Sequence, residues 1–196
     1  ILGNKIHFKV KILKEVDISS YYRTLPEGWY VESDLEDIIF EKTTFYPPLF
    51  YLLKKTQDWT EFEEYVYYIL KLLGIHDIIR YEQQRGHPDG FFKFGNLAVI
   101  YDATLETNFE ESKRQQVDNY CNLLKSGKIE HGNVSFDISG CRKHVWIITR
   151  GVSRTIGEKD GVVIKEVSVD DVIEVYLERL KRNLREVELE EKLRNI

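Results

Sequence analysis

DWTEFEEYVYYILKLLGIHDIIRYEQQRGHPDGFFKFGNLAVIYDAT, residues 58 to 104, decides the fold. Its first third carries Phe62, Val66, Ile69, Leu70 and Leu73 at intervals of three and four, the period that places side chains on one face of an α-helix. Thr60 is a candidate N-cap and Gly74 a stop, so a helix is expected over residues 60 to 73. Beyond Gly74 the period changes. Three short extended runs follow, IHDIIRYEQ, GFFKF and NLAVIYDAT, separated by RGHPDG and by Gly95-Asn96, where glycine and asparagine supply turn geometry. They read as consecutive strands of a meander. LAVIYDA is almost wholly apolar until Asp102, as expected for a central strand covered on both faces.

Downstream, residues 109 to 125 read as a polar helix, and HVWIITR and GVVIKEVS as two further strands flanking a loop, SRTIGEKDG. VDDVIEVYLERLKRNLREVELEEKLRN reads as one long amphipathic helix with Ser168 as its candidate N-cap. On it Leu177, Leu180, Leu184 and Val187 form an apolar stripe, for packing on the sheet or for a dimer seam. Upstream, KIHFKVKIL at 5 to 13 alternates as a strand with one buried face, and a short helix is expected near Asp34 to Phe40. The aromatics at 29 to 31, with Tyr46, Phe50 and Tyr51, lack interleaved basic residues, so a small core or subunit contact is favoured over a base-stacking surface. The expected organisation is an N-terminal extension, 1 to 57, packing on a core, 58 to 196. The order of helix, three strands, helix and strand defines an α/β core with a central mixed β-sheet flanked by helices.

Composition narrows the classes further. A chain of 196 residues can bury one good core. It contains no apolar run long enough to span a bilayer, and ILGNKIHFKVK alternates with charge instead of forming a signal-peptide core. Cys121 and Cys141 have no pairwise metal spacing, are too few for a disulfide framework and read as structural, which suits a reducing compartment, the cytoplasm of a prokaryotic cell. A chain that opens on Ile and holds no methionine is expected to be a piece of a longer polypeptide. The net charge of -5 argues against a stand-alone DNA binder, since non-specific affinity comes from Lys and Arg neutralising phosphates. It permits a cleavage module that a separate recognition domain or subunit delivers to double-stranded DNA.

A carboxylate at the end of a buried strand asks for a counter-charge, and Asp102 occupies that position. Asp89, in HPDG, heads the preceding hairpin, and a hairpin brings the start of one strand beside the end of its neighbour. Two carboxylates so placed repel unless a cation lies between them. Oxygen ligands with open water positions suit Mg²⁺, with Mn²⁺ as substitute, better than zinc. Glu63 or Glu64 on the preceding helix can add a third carboxylate; being adjacent, only one faces the site, and Glu63 is preferred. The bland alternatives are Asp89 as a turn residue, Asp102 as a cap on a local amide and His87 as an exposed loop residue.

This constellation resembles the PD-(D/E)XK nuclease superfamily, carried here by EFEEYVYYILKLLGI, then HPDG, then VIYDAT, then a helix containing QQVDNY. The resemblance covers roughly residues 60 to 150 and implies a restriction-endonuclease-like core. Thr104 stands where the superfamily has lysine. A similar Thr or Ser occurs in cleavage domains of AlwI/FokI-like type IIS restriction and nicking endonucleases, which DATL resembles, although the His and the helix Glu of that motif have no counterpart here. Gln116 and Tyr120 resemble the Gln-x-x-x-Tyr element of some superfamily nucleases and share one helical face.

The resemblance implies metal-assisted phosphodiester hydrolysis. Asp89, Asp102, Glu63 and the carbonyl of Ala103 would hold one or two Mg²⁺, Thr104 would orient a water, and Lys113 is the candidate for the missing cation. Lys113 and Gln116 as solvated helix residues and Tyr120 as core are the competing readings. Cutting both strands needs two sites, so a homo- or heterodimer is expected. Two further readings share the core: a pseudo-nuclease or accessory subunit used for assembly, and a repair- or transposition-associated nuclease.

Overall fold

Pro47 precedes and Pro48 opens the first helix, α1, Pro48–Lys55, where a fixed φ and a missing N–H cost nothing because the first helical N–H groups have no intrahelical partner. Phe50 and Leu53 turn inward from it. The next helix, α2, Trp59–Leu72, begins one residue earlier than its periodicity predicts: the cap is Asp58, whose Oδ1 accepts from the amides of Thr60 (2.8 Å) and Glu61 (3.2 Å), so Thr60 lies inside the first turn. Gly74, at φ 81°, takes the left-handed turn that ends the helix. Phe62, Val66, Ile69 and Leu70 form its buried face.

The computed structural model describes residues 47 to 81 and 87 to 196. The strand expected at 5 to 13, the helix near Asp34 to Phe40 and the aromatics at 29 to 31 and 46 lie outside the described residues. The compact unit runs from Pro47 to Ile196, so it starts eleven residues before the start expected at 58, because Phe50 and Leu53 of α1 belong to its core.

Three antiparallel strands follow, β1 (Asp77–Arg80), β2 (Gly90–Phe94) and β3 (Leu97–Ala103), as the alternation and turn signals predict. Every residue of β3 is buried. The polar helix is divided at Lys113 into α3 (Phe109–Ser112) and α4 (Arg114–Lys125). A two-stranded hairpin of its own, β4 (Lys128–His131) with β5 (Val134–Asp137), comes next, and sequence periodicity does not single it out. β6 (Arg142–Thr149) then pairs parallel to β3. SRTIGEKDG is not a loop: it holds β7 (Arg154–Lys159), antiparallel to β8 (Val162–Ser168), which lies parallel to β6. The sheet order is β1-β2-β3-β6-β8-β7, a central mixed sheet flanked by helices, as expected.

Ser168 caps the last segment, its Oγ accepting from Asp170 N at 3.2 Å. That segment is two helices, not one. Asn183 adopts φ 51°, separating α5 (Val169–Arg182) from α6 (Glu186–Asn195). The break lets Leu189 and Leu193 bury against the sheet while Leu180 and Val187 stay exposed, so the four-residue stripe is not a continuous seam. Alternation along β3 and β6 divides the core between two faces. Val99, Tyr101, Trp146 and Ile148 pack against α1, α2, α5 and α6, and Ala98, Ile100, Val145 and Ile147 pack against α4 with Phe109, Ile129 and Ile138. Among the described residues no helix is long and apolar enough to cross a membrane.

Candidate metal-dependent active site

β3 and β2 meet in a register that pairs Gly90 with Tyr101, and one further step sets Asp89 opposite Asp102. Asp102 alternates with Ile100 and Ala98, so it belongs to the sheet face that α4 covers. The hairpin thus places two carboxylates at one strand end, the arrangement that the position of HPDG implies. Gly90 is required between them: a Cβ there would come within 2.3 Å of the Tyr101 hydroxyl and 2.4 Å of the Ile79 carbonyl oxygen.

Asp102 is buried, with a side chain 5% exposed. Two groups from the following helices reach its Oδ2: Lys113 Nζ donates at 2.8 Å and the Tyr120 hydroxyl at 3.3 Å. Lys113 sits at the junction of α3 and α4 and Tyr120 two turns further along, so both face the sheet edge. Gln116 lies between them in sequence and is half-buried. Burial, with Asp102 and Asp89 nearby, pushes the Tyr120 hydroxyl far above its ordinary pKa, so it stays a hydrogen-bond donor.

Asp89 Oδ2 accepts from the backbone N–H of Ala103 at 2.6 Å. Although part of the residue remains accessible, its carboxylate lies deep among protein groups. Desolvation first, then the charges of Asp102 and Glu63, push its pKa up to about 8, and the Ala103 amide and Lys113 offset them only in part. Glu63, on α2, is near enough for its charge to add to that shift. Its neighbour Glu64 accepts from Tyr68 at 2.5 Å and lies 3.9 Å from Arg80.

Thr104 is buried, and its hydroxyl accepts from Glu106 N at 3.2 Å while its own N–H donates to the Ile148 carbonyl at 2.9 Å. Its side chain shapes the turn that leaves β3. His87 is exposed, and among the described residues Cys121 and Cys141 are free thiols.

Once Asp89 is ionised, three carboxylates against one ammonium leave an excess of negative charge, and their oxygens are the donors that hard divalent cations take. In type, though not in number around one point, these donors suit Mg²⁺ or Mn²⁺. Among the described residues no three His, Cys, Asp or Glu side chains close around a common metal position. Each aspartate has one oxygen engaged by a protein cation or amide instead.

A second polar cluster stands on the same sheet face and was not singled out in the sequence. Asp102, Ile147 and Glu166 are in register across β3, β6 and β8. Glu166 is buried, accepts from Thr149 Oγ1 at 2.7 Å and from Arg154 Nε at 2.8 Å, and Arg154 also pairs with Glu110 of α3. The signal available was a glutamate inside the apolar run GVVIKEVS.

No family model and no curated protein matches the chain. Among solved structures, it is similar to the small subunit (R.BspD6I2) of the heterodimeric restriction endonuclease R.BspD6I, with a TM-score of 0.45 and 12% identity over 74% of this chain and 93% of that one.

Proposed function

We propose that this chain is a Mg²⁺- or Mn²⁺-dependent endonuclease module that hydrolyses phosphodiester bonds of double-stranded DNA. The reading rests on the cross-strand pair Asp89 and Asp102 with the Lys113 ammonium on Asp102. Asp89, Asp102, Glu63 and the Ala103 carbonyl are the groups that would hold the cation. When bound, the divalent ion supplies an activated water and neutralises charge on the phosphate and leaving oxygen.

The protein's own groups do the rest. Tyr120 and Lys113 hold Asp102 in one orientation, and the Ala103 amide does the same for Asp89. Lys113 adds the positive charge that a lysine two residues after Asp102 would otherwise bring, which answers the Thr104 substitution. Gln116 extends the same helical face toward an attacking water. Thr104 acts through backbone geometry. With a net charge of -5, the module relies on a separate DNA-recognition domain or subunit, as a type IIS cleavage module does, and on a second copy or a partner subunit for the other strand.

Plasmid nicking and linearisation by the purified chain, at high protein and low salt with Mg²⁺ or Mn²⁺, tests this. Cleavage should disappear in Asp89→Ala and in Asp102→Ala. Cleavage that survives both substitutions places the chemistry elsewhere and refutes the assignment. The second reading, an accessory subunit that keeps the fold for assembly, is favoured by the absence of a closed three-ligand group among the described residues. Calorimetry separates the two: no heat of Mn²⁺ binding together with no cleavage selects the accessory subunit.

A further inference from the structure

Burying a glutamate in a sheet is costly unless its oxygens are satisfied, so Glu166 at 7% exposure needs a reason to be there. Both its oxygens are engaged, Oε1 by Thr149 and Oε2 by Arg154 Nε. What this anchored carboxylate holds is a guanidinium that reaches out of the sheet. Arg154 is half-exposed and turns its Nη2 to Glu110 on α3. The register shift between Thr155 and Gly157 lies immediately after it, the kind of bulge that re-aims a strand end.

The four-residue α3 runs directly into Lys113. A helix that short cannot hold its own position by backbone hydrogen bonds. Phe109 is buried beneath it, Ser112 Oγ donates to Glu106 Oε2 at 2.8 Å, and Glu110 meets Arg154. An exposed ion pair alone contributes little. One whose arginine is fixed at its other end to a buried glutamate has already lost its conformational freedom, and a bridge of that kind transmits position.

We propose that Arg154 is a positioning residue of the candidate site: clamped between Glu166 of β8 and Glu110 of α3, it sets α3 and thereby holds the Lys113 ammonium on Asp102. The role deepens the nuclease reading and rests on it. Its geometric content is testable without DNA or metal. The outer strand pair of the sheet, remote in sequence from HPDG and DATL, thus helps to build the site.

Amine acylation of the intact chain with acetic anhydride, followed by mass spectrometry, compares Lys113 with Lys165, a buried lysine whose Nζ donates to the Arg194 and Ile196 carbonyls. Glu110→Ala leaves Glu166 and Arg154 paired and should raise the labelling rate of Lys113 about tenfold, the scale of losing one charge-assisted hydrogen bond, with Lys165 unchanged. Arg154→Ala should do the same or more, and Arg154→Lys, which can meet only one carboxylate, should fall between. Unchanged labelling of Lys113 in Glu110→Ala, or an equal rise at Lys165, overturns the proposal. Single-turnover cleavage adds the functional half: Glu110→Ala should slow it at unchanged DNA affinity, with no further effect in a Lys113→Ala background, and an additive loss there also overturns it. Protected labelling in a chain that never cleaves DNA defeats the nuclease reading and leaves the clamp standing.

Discussion

Asp89→Asn should stabilise the metal-free protein at slightly alkaline pH and leave it unchanged in acid. Asp89 keeps its proton up to about pH 8 in the folded chain, against an ordinary value of 3.8. Between those values the folded state binds more protons than the unfolded one, so stability falls as pH rises. Each unit of that window costs about 1.4 kcal/mol, which bounds the total near 6 kcal/mol. Local relaxation around a part-accessible carboxylate brings the realised loss to about 2 kcal/mol. Asparagine is neutral, nearly the same size, and keeps an oxygen for the Ala103 N–H. The variant should therefore melt about 4 to 8 °C above the parent at pH 8 in a chelator, and at the same temperature near pH 4, where the parent carboxyl is protonated as well. Mg²⁺ should narrow the gap by stabilising the parent alone. Thermal denaturation followed by circular dichroism reads all three conditions. A variant less stable than the parent at pH 8, or a gap of equal size at both pH values, refutes the crowding of carboxylates on which the site assignment rests.

Three further outcomes follow from the same geometry. Gly90→Ala should cost about 2 to 3 kcal/mol in urea denaturation, because its Cβ meets the Ile79 backbone carbonyl and the Tyr101 hydroxyl at under 3 Å; a loss under half that amount means β1 shifts freely. Tyr120→Phe should cost about 1 kcal/mol and slow cleavage by loosening Asp102, and a rate equal to the parent's would remove Tyr120 from the site. Thr104→Val should cost about 1 kcal/mol through the lost acceptor for Glu106 N, while the single-turnover rate stays within about threefold; a loss of two orders of magnitude assigns Thr104 to the attacking water instead.

Local pattern was enough for the elements nearest the site. The three-four spacing of Phe62, Val66, Ile69 and Leu70, the turn residues around HPDG and the unbroken apolar run of β3 each reflect a period set within a few residues. The candidate pair was legible for the same reason: hairpin register is local, so Asp89 opposite Asp102 follows from short turns. Where sequence reading failed, the deciding contacts were distant or the local signal was weak. RTIGEK reads as polar loop because its strand is stabilised on one edge by β8 and buries none of its side chains fully. The break at Asn183 interrupts a stretch whose helical pattern continues on both sides, and it is burial of Leu189 and Leu193 on the sheet that favours the turn.

By itself, then, the chain determined an α/β core, its central strand and which aspartates end up side by side, since these depend on alternation, helical period and turn chemistry over short spans. Lys113 and Glu63 were already the candidates that the sequence offered; only the tertiary structure puts the Lys113 ammonium on Asp102 and brings Glu166 and Arg154 toward α3. Those choices depend on the register of parallel strands and on how a four-residue helix docks, and such long-range alignments are set by packing the whole core, with no periodicity along the chain to announce them.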